Sequence, residues 1–252
     1  MGLEGRVALV SGGSRGIGRA VALALAEDGA DVAVNYRRDE QAAADTAAQI
    51  AKLGRRAGIY RGSVDSWDDD QAMVADVLDD LGPVDILVNN AGIASRGHSV
   101  VKTDPAEFER VWRTHTFGAF ALSKLVLPGM RERPRGDIVM VSSVATVNMA
   151  GNSSPYNVAK AGLEALARTL AKEERRNNIH VNVVAPGLVE TEMGRRLVKG
   201  AMGVEDIKTL DAGAPFGHVC TPEEVADVVR FLASDAAGYV TDQKVTIDGG
   251  TF

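Results

Sequence analysis

One cysteine, Cys220, is all the thiol chemistry available to this chain of 252 residues. An intramolecular disulfide is therefore excluded, and a reducing cytoplasm is the expected setting. Long apolar runs are missing as well: no stretch of 18 or more residues reads as a membrane span, and the amino terminus has no signal-peptide pattern. Positive charge is not in excess. A formal net charge of -6 argues against non-specific nucleic-acid binding. The four histidines, His98, His115, His180 and His218, are scattered without the spacing of a zinc site, so no catalytic metal is expected. Repeats, low-complexity segments and an interdomain linker are also absent, which leaves one domain over 1–252.

What is present is alternation. Short apolar runs at Arg6–Ser11, Asp31–Tyr36, Ala57–Tyr60, Val84–Val88, Asp137–Ser142, His180–Ala185 and Lys244–Ile247 have the character of strands buried on both faces. Between them lie an Ala/Leu-rich helix ending at Glu27 and helical patterns at Glu40–Leu53, Asp69–Leu81, Pro105–Arg131, Tyr156–Arg176 and Pro222–Leu232. Strand and helix in turn over the whole length predict an α/β fold. The expected form is a single-domain, Rossmann-type, doubly wound parallel sheet of about seven strands with helices on both faces.

The first strand runs into Gly12-Gly13-Ser14-Arg15-Gly16-Ile17-Gly18 and then a helix. Gly12 allows a sharp turn, Gly16 lets backbone approach a pyrophosphate, and Gly18 lets helix pack closely on strand. The spacing departs from the G-x-G-x-x-G fingerprint, but the strand before and helix after are the required context. The second strand ends Asn35-Tyr36-Arg37-Arg38, where a dinucleotide site that takes NAD commonly has a carboxylate for the ribose 2′-hydroxyl. Arginine there suits a 2′-phosphate, with Arg15 a second cation for it, so NADP(H) is favoured and NAD(H) is the alternative. Arg37 and Arg38 at a helix start on the surface would be the plainer account. Asn89-Asn90-Ala91-Gly92 follows a central strand with small residues and with asparagines able to hold turn geometry.

Tyr156 and Lys160, four apart, share one helical face. A free phenol titrates near ~10. An ammonium roughly 5 Å away, at an effective dielectric of ~20, attracts phenolate by about 3 kcal/mol, or roughly two pK units. A nearby serine hydroxyl, from Ser142-Ser143, would hydrogen-bond an oxygen on which charge develops. By itself the tyrosine–lysine spacing is common on solvated helices; its weight comes from the company it keeps.

Taken together, Ser11–Gly18, Asn89–Gly92, Ser143, Tyr156–Lys160, Pro186-Gly187 and Asp248-Gly249-Gly250 stand in the order and spacing of the short-chain dehydrogenase/reductase family. The chain resembles that family from about Gly5 to Gly250, and within it most resembles the 3-oxoacyl-[acyl-carrier-protein] reductases. The resemblance implies that Tyr156 is the general acid/base. Lys160 then lowers its pKa and holds the nicotinamide ribose, and Ser143 orients the substrate oxygen while Ser142 is structural. It also implies cofactor contacts from Gly12, Ser14, Arg15, Gly16, Ile17, Gly18, Arg37, Ser63, Val64, Asn89, Ala91, Gly92, Tyr156, Lys160, Pro186, Gly187, Val189 and Thr191. The implied function is transfer of a hydride between nicotinamide and a carbonyl or secondary alcohol, with a 3-oxoacyl thioester among the candidate substrates.

Three departures from the family pattern carry expectations of their own. His115 replaces an asparagine that holds a water in a proton relay. Imidazole can donate and accept, so His115 either sustains that relay or blocks it; the second case would make the protein an NADP(H)-binding regulator or scaffold. Ser63-Val64 replaces Asp-Val at the adenine, with Asp65 able to compensate only if the loop shifts. Thr241-Asp242 replaces Thr-Gly, a turn that aspartate tolerates. The glycine-rich stretch 188–218, with Met193, Leu197, Val198, Met202 and Phe216, is the expected substrate lid. Arg131, Arg133 and Arg135 would suit an acidic acyl carrier protein, or merely complement helix dipoles. Apolar excess on the helices of Phe117–Leu127 and Ala161–Leu170 points to a homotetramer, or failing that a homodimer.

Overall fold

The apolar runs become strands β1 (Val7–Val10), β2 (Asp31–Tyr36), β3 (Ala57–Arg61), β4 (Ile86–Asn89), β5 (Gly136–Val141), β6 (Ile179–Pro186) and β7 (Lys244–Ile247). In the computed structural model, which describes residues 2–252, they form one sheet in the order β3-β2-β1-β4-β5-β6-β7. Met1 of the expected 1–252 domain lies outside the described residues. Every pairing is parallel. Alternation along β1 shows how both faces are used: Ala8 and Val10 enter one core, Val7 and Leu9 the other. Helices α1 (Gly16–Glu27), α2 (Glu40–Lys52) and α9 (Pro222–Ala233) cover the first face. Helices α3 (Trp67–Asp80), α5 (Gly118–Met130) and α7 (Ser154–Glu174) cover the second. The remaining helices are α4 (Pro105–Trp112), α6 (Ala145–Asn148) and α8 (Glu192–Met202). No helix among the described residues is long and apolar enough to cross a membrane.

Helix starts are set by local chemistry. Asp39 caps α2 through the Ala42 N–H, Ser66 caps α3 through Asp69, and Thr221 with Glu224 forms a capping box on α9. Ser66 explains why α3 begins at Trp67, two residues before the expected Asp69. The helix expected over Pro105–Arg131 is broken: Arg113–Phe117 forms a wide π turn between α4 and α5. There Thr116 Oγ1 donates to the Ala159 carbonyl of α7 at 2.8 Å, a bond from outside the helix's own ladder.

The amino edge of the sheet is tied by ion pairs. Asp85 Oδ2 accepts from the Val7 N–H at 2.8 Å and Oδ1 from Arg133 at 2.7 Å. Asp137 accepts from Arg6 at 2.6 Å and Arg135 at 2.8 Å, and Arg131 pairs with Glu174 at 2.5 Å. Asp85, Asp137 and Glu174 are buried, so removing one partner would leave a buried charge uncompensated. The three arginines of the candidate carrier-protein dock are therefore spent on the chain's own carboxylates. They also lie at the edge opposite the strand ends that carry Ser143 and Asn89.

Strand order reverses on either side of β1, and the carboxyl ends of β1 and β4 open there into one crevice, the usual position of a ligand in such sheets.

Candidate active site

The glycine turn is built by hydrogen bonds from distant strands. Ser11 Oγ donates to the Val88 carbonyl at 3.2 Å and accepts from the Asn90 and Ala91 N–H groups, each at 3.0 Å. Asn90 Nδ2 reaches the Ser11 carbonyl at 2.9 Å, joining the loop after β4 to the turn after β1. Asn35 Oδ1 accepts from the Gly12 N–H at 3.0 Å, and its Nδ2 donates to the Gly62 carbonyl at 3.1 Å. This buried asparagine was legible only as a strand residue. A methyl at Gly18 would stand 2.2 Å from the Gly12 carbonyl oxygen, so the third glycine serves closure of the turn itself. Gly16 has φ +53 and faces Thr191, the cap of α8. Ser14 is buried, Ile17 half-buried, and Arg15 at the N-cap of α1 makes no side-chain cap, leaving the first N–H groups of the helix to an anion. A cradle of this kind fits a pyrophosphate.

Around it, Arg37 and Arg38 are exposed and in no ion pair among the described residues. Arg15 pairs with Glu192 on α8 at 2.9 Å. Ser63 Oγ donates to Asp65 Oδ1 at 2.5 Å, which brings that carboxylate beside Ser63, and Val64 is buried. Pro186 ends β6, and Gly187 N–H bonds the Ile247 carbonyl at 2.9 Å. Val189 is buried; the Thr191 hydroxyl accepts from the Gly194 N–H at 3.0 Å. Asp242 does hold the left-handed turn, at φ 58.

His115 sits in the π turn, 3% exposed, with Nε2 2.8 Å from the Ile93 carbonyl. Its ring meets Tyr156 edge-on at 5.4 Å. A methyl at Gly92 would lie 2.5 Å from His115 Cε1, so Gly92 makes room for this imidazole. Burial, and then the charge of Lys160, push the imidazole down to about 3, against the backbone bond to Ile93. His115 is thus neutral at physiological pH and does not titrate near its usual value. His115 Nδ1 and the buried Asn89 Oδ1 lack hydrogen-bond partners among the described residues.

Tyr156 is half-buried in the first turn of α7, so it is not sealed in the core. The Ser143 side chain lies near its hydroxyl and favours the ionised phenol. Lys160 Nζ donates to the Val141 carbonyl at 2.6 Å and lies 5.7 Å from the Tyr156 ring centroid. The acidified phenol expected from sequence is corrected here. Burial raises Tyr156 above the ordinary phenol value, and Ser143 only partly offsets it. Burial also pushes Lys160 down to about 7, with Glu164 acting the other way. The four-residue spacing brings the attraction, but desolvation of both partners outweighs it. Ser142 is buried and donates to Glu164 Oε1 at 2.6 Å. Glu164 follows Tyr156 and Lys160 at four-residue steps, a signal available in the sequence and missed.

The stretch 188–218 folds with Val219 over a small core of Val198, Ile207 and Val219, with Leu188, Val204, Leu210 and Ala214 around it. Met193, Leu197, Met202 and Phe216 stay exposed, Phe216 at 87%.

A family model described as enoyl-(acyl carrier protein) reductase matches residues 12–251. The acetoacetyl-CoA reductase of Shinella zoogloeoides is 37% identical over 247 residues, covering 98% of each chain. The 3-oxoacyl-[acyl-carrier-protein] reductase of Vibrio cholerae is 36% identical over 253 residues, covering 100% of this chain and 99% of its own. The structure of L-sorbose reductase from Gluconobacter frateurii, complexed with NADPH and L-sorbose, superposes with a TM-score of 0.91 at 31% identity, covering 99% and 97%. These relatives are named as reductases, which lends no support to the regulator or scaffold reading of His115.

Proposed function

Because the chain belongs to the short-chain dehydrogenase/reductase family of oxidoreductases, we propose that it is an NADP(H)-dependent reductase of 3-oxoacyl thioesters. The observation that carries this reading is the meeting of Tyr156, Ser143 and Lys160 beside an uncapped glycine turn. The nicotinamide, when bound, supplies the hydride. Gly12, Ser14, Gly16, Ile17 and Gly18 would hold its pyrophosphate, Ser63 and Val64 the adenine, and Asn89, Ala91 and Gly92 the adenosine side. Lys160 would take the ribose, and Pro186, Gly187, Val189 and Thr191 the carboxamide end. Tyr156 gives its proton to the carbonyl oxygen, and Ser143 donates a hydrogen bond to the same atom. A phenol raised by burial keeps its proton at neutral pH, which suits the reductive direction. Neutral His115 supports the relay by positioning, not by titrating.

The thioester part rests on the two relatives named for such substrates, and on the apolar Met193, Leu197 and Phe216 of the 188–218 stretch, which we take as the substrate lid. A carrier protein, if it bears the acyl chain, docks away from Arg131, Arg133 and Arg135. Exposed Trp112, Phe120 and Val158 are read as the contacts between copies, in a tetramer or otherwise a dimer, and the lone Cys220 fits a cytoplasmic protein. Oxidation of NADPH is to be followed with acetoacetyl-CoA, a simple methyl ketone and crotonyl-CoA. Turnover highest with acetoacetyl-CoA supports the reading; reduction of crotonyl-CoA alone overturns it.

The 2′-phosphate assignment has its own test. Among the described residues Arg37 has no ion-pair partner and Arg15 is held by an exposed pair, worth little in water, so both can turn to a phosphate. Arg37→Asp should raise the NADPH dissociation constant by about 30-fold, the loss of a charge-assisted contact plus repulsion, and change NADH little. Equal effects on both cofactors in a binding titration would refute the assignment.

A further inference from the structure

A second set of charges lies directly behind the site. Glu164 Oε1 accepts from Ser142 Oγ at 2.6 Å and stands 2.7 Å from Thr146 Oγ1. Lys244, from the last strand β7, places Nζ 3.0 Å from Glu164 Oε1 and 2.6 Å from Thr146 Oγ1. Thr146 in turn lies 2.9 Å from the Ser143 carbonyl, and its N–H bonds that carbonyl at 3.2 Å. Neither charged side chain is fully exposed: Glu164 shows 15% and Lys244 22% of its side chain to solvent. Four elements thus converge on one carboxylate: the end of β5, α6, α7 and β7. Its helix presents Tyr156, Lys160 and Glu164 as successive steps of one ridge.

We infer that Glu164 and Lys244 are positioning residues: together they fix the loop that carries Ser143 and set the electrostatic balance felt by Lys160. The inference rests on the reading of Tyr156 and Lys160 as the proton-transfer pair. Ionisable groups facing Lys160 are Tyr156 and Glu164 on its own helix and neutral His115 on the π turn. Lys244 follows behind Glu164, and β5 contributes only the Val141 carbonyl. Glu164 favours the ammonium form, and Lys244 holds that carboxylate in place while opposing it in charge. A purely structural strut would have no such signed effect.

The test is a side-chain NMR titration of the lysines in the ligand-free protein, with Lys160 assigned by its loss in Lys160→Met. Glu164→Gln keeps the shape and removes the charge, and should lower the Lys160 midpoint by about one pH unit. Lys244→Met should move it the other way by less. Midpoints unmoved in both variants, or moved in the same direction in both, overturn the inference. Should Glu164→Gln fail to fold by circular dichroism, Lys244→Met decides alone, an unmoved midpoint counting against. Run beside them, Tyr156→Phe separates the two claims: parental turnover in that variant defeats the proton-transfer reading itself. Lost turnover there with unmoved Lys160 midpoints defeats only the role given to Glu164 and Lys244.

Discussion

Tyr156→Phe is expected to lower kcat for carbonyl reduction by about 10³-fold, while the NADPH dissociation constant rises by no more than about tenfold. The asymmetry follows from what the hydroxyl does. It takes no part in the hydrogen bonds that build the glycine turn, so its loss removes the proton donor and leaves the glycine cradle and the turn after β4 intact. The ring remains to pack edge-on against His115. A companion expectation concerns pH. Burial holds Lys160 at about 7, so it is an ammonium below that value and neutral above it. If the ammonium stabilises charge passing through Tyr156, kcat/KM for reduction falls as pH rises through 7, since that ratio reports the free enzyme. His115, pushed to about 3, adds no acid limb between pH 5 and 8. Stopped-flow measurement of NADPH oxidation with acetoacetyl-CoA checks both points. A variant retaining more than a tenth of parental kcat would remove Tyr156 from the chemistry.

The strand pattern and the glycine turn could be read from residues because short-range rules govern them. Strand β7 was bounded at Lys244 and Ile247 by its own apolar run, and α1 by its Ala/Leu content up to Glu27. Long-range ties were not legible. Nothing near Asn35 in sequence says that it will hold Gly12 from β2, and nothing in 105–131 forecasts a π turn whose Thr116 bonds α7. Gly92 was assigned to cofactor approach, whereas packing against His115 already requires it. The sign of the Tyr156 shift was missed for a related reason: charge proximity can be counted along a helix, but burial belongs to the tertiary structure. Arg131, Arg133 and Arg135 looked like a surface patch because their carboxylate partners Glu174, Asp85 and Asp137 lie 2 to 48 positions away in sequence.

Asp70 leads to the other large effect. On α3 it shares the buried stripe of Met73, Val74 and Val77, is 0% exposed, and neither carboxylate oxygen has a hydrogen-bond partner among the described residues. Burial, then Asp69 and Asp65, push the carboxyl up to about 8. In the unfolded chain an aspartate titrates near ~3.9. Between these values the folded protein holds a proton that the unfolded chain has released, so stability is fullest at about pH 4 and is lost as pH rises towards 8. Each unit in that window costs roughly 1.4 kcal/mol from this group, an order-of-magnitude total of about 4 kcal/mol by pH 7. Asp70→Val removes the cost and keeps the apolar stripe, so it should stabilise the protein at pH 7 by about 2 to 4 kcal/mol. At roughly 2–4 °C per kcal/mol for a chain of this size, Tm should rise by about 4 to 16 °C. Asp70→Asn should gain less, because an unpartnered buried amide still costs about 1–3 kcal/mol. Thermal melts of the three proteins at pH 5 and pH 8 give the answer. The gap between parent and Asp70→Val should widen from the lower pH to the higher, whereas a parent that melts above the valine variant at pH 8 would mean that the carboxylate form is the one the fold prefers.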